Sequence, residues 1–261
     1  MSVSYVHAFQ SEWLKRKRSF ASSLVIGGSL FTPVIVAVVR LIHHRELPAV
    51  YAAANFWPGM WRSCWESMAI FFLPLAAILA TSLITQIEFK SNAWKQVHAL
   101  PIGTATIFLS KLGVILVLML EFLLLFNVAI YVFGMLPAVV VRGVPYPKGS
   151  FFDIPLLREN ALYFIDCLPI IAAQYLISLR SNNFLVPIGI GFLAWVGALA
   201  AVSSRWAIWW PYSYTMVEYL KDKPKGAHYA AHTELHWLAL SAFVLLTIVS
   251  FVLFVTKREK G

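Results

Sequence analysis

Three groups of ionisable residues sit at spacings that could do chemistry. Between Ile87 and Lys111 the chain reads IEFKSNAWKQVHALPIGTATIFLSK, with Glu88, Lys90, Lys95 and His98 interleaved with Phe89, Trp94, Val97 and Leu100. At helical spacing Trp94, Val97 and Leu100 share one face and Lys95 and His98 another, which predicts a short amphipathic helix offering charge to a soluble partner. Pro101 and Gly103 end it, and Thr104 or Thr106 can cap the helix that follows. Glu121 stands about ten residues beyond Lys111, near mid-bilayer depth at 1.5 Å of rise per residue. A carboxyl there needs a partner helix or a wet cavity and is a candidate for a translocation path. The structural alternative is a hydrogen-bonded acid that holds helices together with Asn127. Finally, His228, His232 and His236 recur at every fourth residue beside Glu234, a spacing at which two imidazoles can bind zinc or copper. Lys223, Pro224 and Gly226 weaken the helix this needs, so no metal is assigned and the three histidines stand as weak candidates.

Other chemistries lack their residues. The sequence has no GxxxxGK[ST] loop to cradle a triphosphate, no HExxH and no GxSxG, so no catalytic residue and no cofactor is assigned to this chain.

The elements that must position these groups are membrane helices. Of 261 residues, 60% are hydrophobic and 13% charged, and the mean hydropathy is +0.74, too apolar for a water-covered exterior. A helical span needs roughly 20 apolar residues, and six runs qualify: Phe20 to Ile42, Cys64 to Ile87, Phe108 to Gly134, Leu162 to Leu179, Phe184 to Val202 and Trp237 to Thr256. The first is longer than a signal-peptide core and lacks a small-residue cleavage pattern, which predicts a retained span. Cys64 and Cys167 are the only cysteines, too few for a metal or disulfide framework, and a bridge between them is not expected. The net charge of +9 is scattered around span ends, as membrane anchoring requires. The run of Lys15, Arg16, Lys17 and Arg18 beside the first span places both termini in the cytoplasm.

Around these spans, Tyr5 to Arg18 forms a second amphipathic helix, with Val6, Phe9 and Trp13 on one face, expected to lie in the inner leaflet with its cations among head groups. Gly27 and Gly28 predict close packing of the first span. Trp57, Trp61 and Trp65 are expected in the aromatic belt of an outer loop. The small residues of the fifth span, among them Gly189, Gly191 and Gly197, predict a helix interface. The stretch RWAIWWPYSY after Ser203 suits a segment that dips into the outer leaflet and returns.

This order of features resembles the membrane subunits of type-two ATP-binding-cassette exporters, in particular the small permeases of the bacitracin-resistance and lantibiotic-immunity kind. Phe9, Glu12, Trp13, Leu14 and Lys15 carry the likeness at the amino terminus, and Glu88, Phe89, Trp94, Lys95, Leu100, Pro101 and Lys111 carry it in the central loop. The resemblance implies an all-α membrane protein of six transmembrane helices. It adds an amino-terminal interface helix, a cytoplasmic coupling helix between spans 2 and 3 (Ser91 to Leu100), and a partly re-entrant outer segment before span 6. The chain, 1–261, would be one permease domain: interface helix 1–19, bundle 20–256 and cytoplasmic tail 257–261. It would sit in a bacterial cytoplasmic membrane beside a second permease copy or sister subunit and membrane lipids, with no nucleic-acid partner. Separate ATPase subunits holding ATP and magnesium would dock on Glu12, Trp13, Lys15, Glu88, Lys90, Trp94, Lys95 and His98. The implied function is outward movement of an antimicrobial peptide, lipid or drug. Two other readings stay open: an ion- or proton-coupled secondary transporter that uses Glu121, and a sensor or scaffold without transport. The first would run on a gradient without any ATPase, although no repeat of hydrophobic halves is visible; the second would lack a stoichiometric ATPase partner.

Overall fold

The computed structural model describes residues 5–16, 19–87, 103–152, 154–221 and 233–258. Every regular element among them is helical: α1 (Tyr5–Arg16), α2 (Ala21–Ile42), α3 (Leu47–Ala52), α4 (Phe56–Ser67), α5 (Leu73–Thr85), α6 (Thr104–Val140), α7 (Ile154–Arg180), α8 (Leu185–Ala201), α9 (Tyr214–Leu220) and α10 (Thr233–Arg258). Among the described residues, five helices are long and apolar enough to cross a membrane: Ala21–Ile42, Phe56–Thr85, Thr104–Val140, Pro155–Arg180 and Leu235–Thr256. The fifth expected run, Phe184 to Val202, forms α8, an apolar helix of 17 residues that reaches about 25 Å against roughly 30 Å of hydrocarbon.

The second span begins earlier than its hydropathy suggests. It starts at Phe56 and is joined across a π-turn, Met68–Phe72, where the Leu73 amide donates to the Met68 carbonyl five residues back. Pro74 supplies the reason: without an N–H it cannot serve the Ile70 carbonyl one turn earlier. That carbonyl instead accepts the indole N–H of Trp195 on α8 at 2.8 Å. A helix defect thus becomes an inter-helix joint.

The early start carries the tryptophans inward. Trp57, Trp61 and Trp65 are 3%, 5% and 0% exposed, which corrects their assignment to a lipid-facing belt. Trp65 stacks on Tyr163 of α7 at 4.0 Å between centroids, and Trp57 stacks on Tyr131 of α6 at 5.5 Å. Gly134 makes room, since a Cβ there would stand 2.9 Å from the Trp57 ring. Beside it the Tyr51 hydroxyl donates to the Gly134 carbonyl at 2.8 Å. Burying these large rings against other helices gains more contact than lipid offers. Cys64 and Cys167 are free and buried within α4 and α7.

The core lies around α5, α6 and α7. α2 and α1 pack along α6, while α10, α9 and α8 pack on α7 and α5. Gly28 meets Phe122 of α6 as close packing predicts, whereas Gly27 faces open space. The Phe108 ring meets Phe251 and Phe254, so the start of α6 and the end of α10 lie at one end of the bundle, together with α1. His236, near the start of α10, lies toward the other.

Candidate functional site

Two polar constellations mark the two ends. At the first, α1 is fastened to α6 through its polar residues. Glu12 is 6% exposed and receives Lys111 Nζ of α6 at 2.7 Å and Lys15 Nζ at 2.5 Å. Lys111 is 1% exposed, so each of the two supplies the charge that permits the other's burial. Burial raises the Glu12 pKa, but Lys111 and Lys15 outweigh it and hold the carboxyl below its ordinary value. One turn on, Arg16 lies over the Trp13 ring at 3.8 Å and pairs with Glu121. Gly113 admits the Tyr5 and Phe9 rings at the start of α1.

This contact corrects two expectations. Glu12 and Arg16 pair with residues of α6 rather than reaching the head groups, while Tyr5, Val6, His7, Gln10, Ser11 and Leu14 of α1 are exposed. Glu121 pairs with Arg16, whereas Asn127 donates to Asn160 Oδ1 of α7 at 3.1 Å. α6 runs from Thr104 to Val140, which puts Glu121 about 26 Å from its start and about 28 Å from its end.

At the opposite end the chain after α8 makes two 3-10 turns, Arg205–Trp209 and Pro211–Ser213, and then α9. Trp206, Trp209 and Trp210 stay exposed while Tyr212 through Tyr219 are buried, so the segment turns one side into the bundle. The Tyr212 hydroxyl donates to Gln174 Oε1 at 3.1 Å. Gln174 Nε2 in turn donates to Ser82 of α5 at 3.1 Å and to the Pro187 carbonyl of α8 at 2.5 Å. One buried amide joins four elements and spends its donors and acceptor inside the membrane, where water cannot serve them. Near the start of α10, His236 Nδ1 meets Asp166 Oδ1 of α7 at 2.9 Å and its Nε2 stands 3.8 Å from Glu218 Oε2 of α9.

Sequence reasoning found α1, Glu121 and His236 but not their partners. It gave no role to Asp166 or Glu218, and placed Lys111 at the end of the central loop, as one of the residues that carry the resemblance, without a partner on α1. A charge inside an apolar run was the available signal for Asp166 and Lys111; nothing local marked Glu218. Glu88, Lys90, Trp94, Lys95 and His98, like His228 and His232, lie outside the described residues.

The long apolar helices, joined by polar contacts between spans, define a multi-pass helical membrane protein. Residues 8–198 match the family described as ABC-2 family transporter protein, and the chain belongs to that family. The family is a membrane component without an ATPase domain, which implies separate ATPase subunits as partners. No curated protein matches the chain.

Proposed function

We propose that this chain is the permease subunit of an ABC exporter, paired with a second permease and driven by two separate ATPase subunits that bind ATP and magnesium. They would dock on the cytoplasmic face around residues 87–111. The supporting observation is the buried Glu12–Lys111 pair at 2.7 Å. Gly103 and the start of α6 follow directly on the central loop, and Lys111 lies two turns into that helix. A displacement of the loop by the ATPases therefore moves α6, and α1 moves with it, because separating two buried opposite charges is costly. Motion carried by α1 and α6 would open the path between two permeases outward for an amphipathic cargo such as an antimicrobial peptide, a lipid or a drug. In a bacterial cytoplasmic membrane this is an immunity or resistance function. Glu88, Lys90, Lys95 and His98 would contact the ATPase and Trp94 would anchor the loop. Glu12, Lys15 and Trp13 would brace α1, and Glu121, as the partner of Arg16, belongs to that brace.

The test is purification of the tagged chain from its host in mild detergent, with identification of what accompanies it. An ATPase subunit recovered with the parent and lost with Trp94→Ala plus Lys95→Glu supports the reading. A chain recovered alone, or with an ATPase indifferent to the loop change, overturns it.

A further inference from the structure

Asp166, Glu218 and His236 come from three different elements, α7, α9 and α10, yet each offers one ligand atom within 4.8 Å of the others. Asp166 is fully buried and Glu218 is 4% exposed. Asp166 Oδ1 takes the imidazole, while Oδ2 is buried with no hydrogen-bond partner among the described residues. An uncompensated carboxylate oxygen in such a place costs free energy that a bound cation would return. Glu218 is matched by Lys221, whose side chain is 36% exposed and so free to swing toward solvent when another cation arrives. Among the described residues, the other charged groups near by include Glu159, which acts on Tyr163 together with Glu218 and Asp166, and Glu66 and Arg62, which act on Tyr219.

We infer that Asp166, Glu218 and His236 form a binding site for one divalent cation of the zinc class. Two carboxylates neutralise a divalent ion, and one imidazole nitrogen selects a borderline-soft metal over calcium or magnesium, which prefer all-oxygen shells. Three protein ligands leave a fourth position for water, and His236, with its side chain 17% exposed, gives the ion an entry. Such an ion would tie the segment before α10 to α7, fixing the end of the bundle opposite α1. A ligand that binds only the folded arrangement stabilises it.

The test uses the full chain, purified with any ATPase subunit that accompanies it, stripped with chelator, and carrying His228→Gln and His232→Gln so that a histidine pair elsewhere cannot mimic the site. Zinc chloride is titrated by calorimetry and by thermal melting, with magnesium chloride as control, in this background and with Asp166→Asn, Glu218→Gln or His236→Gln added. The expected result is one zinc per chain, a raised melting temperature with zinc but not magnesium, and affinity at least about tenfold weaker in each added variant. Absence of zinc binding, or equal binding in all the folded variants, overturns the inference and leaves His236 as an ion-pairing residue. If the added variants aggregate, cobalt(II) decides with the background protein alone. Intense tetrahedral visible bands that zinc abolishes support the site, and a spectrum unchanged from the aqueous ion overturns it.

Discussion

At the scale of single residues, the two ion pairs of α1 differ in weight because they differ in burial. Lys111 is 1% exposed and the Glu12 side chain 8%, while the Glu121 side chain is 36% exposed. Removing one partner of a buried pair strands the other charge and costs about 3 kcal/mol or more, whereas a half-exposed pair is worth about 1 kcal/mol or less. Glu12→Gln is therefore expected to lower the melting temperature clearly and Glu121→Gln only slightly, with Glu12→Gln plus Lys111→Met recovering much of the first loss. Thermal unfolding of the three purified variants in one detergent checks the order. The pH dependence follows from the same pair. The Glu12 carboxyl titrates below its ordinary value of 4.5 when folded, so its contribution is complete above that value and disappears as pH falls through the folded pKa. The gap in melting temperature between parent and Glu12→Gln should be full at neutral pH and close on acidification below about 4.5. A gap that widened in acid would contradict the pairing.

At the scale of elements, helix joints form where a helix has a defect or lacks a side chain. Trp195→Phe removes the donor to the Ile70 carbonyl left free by Pro74 while keeping the aromatic volume, at an expected cost of about 1 kcal/mol. Gly191 tolerates no more. A Cβ there would stand 2.6 Å from Gln174 Oε1 and 2.8 Å from Ile78, but at Gly197 the nearest atom, on the Trp210 ring, is 3.6 Å away. Gly191→Ala should then destabilise strongly by forcing the Gln174 amide off its partners, and Gly197→Ala should be nearly neutral. Comparative melting of the two alanine variants measures the difference.

At the scale of the whole molecule, the two polar constellations occupy opposite ends of one bundle. If α1 lies on the cytoplasmic side, as the proposed function requires, Arg142 in the exposed turn after α6 would face outward. Cys64 and Cys167 are both 0% exposed, so the parent should resist maleimide until it is denatured. Arg142→Cys is expected to take a membrane-impermeant maleimide on intact cells, and Gln10→Cys only after the membrane is opened. The reverse pattern would invert the orientation.

What the sequence determined by itself is what depends on neighbours along the chain. Hydropathy over some twenty residues marks where helices cross, amphipathic spacing marks α1, and Gly28 within an apolar run marks a close approach, because each follows from local periodicity and side-chain volume. The early start of the second span escaped this reading because Trp57, Trp61 and Trp65 resemble belt residues until Tyr131 and Tyr163 are seen beside them. Only the tertiary structure decided which polar groups meet. Glu12 finds Lys111 and His236 finds Asp166 across 99 and 70 residues of chain. Those pairings are set by which helix faces pack together, and in an apolar medium a polar side chain takes whatever partner the packing brings within reach.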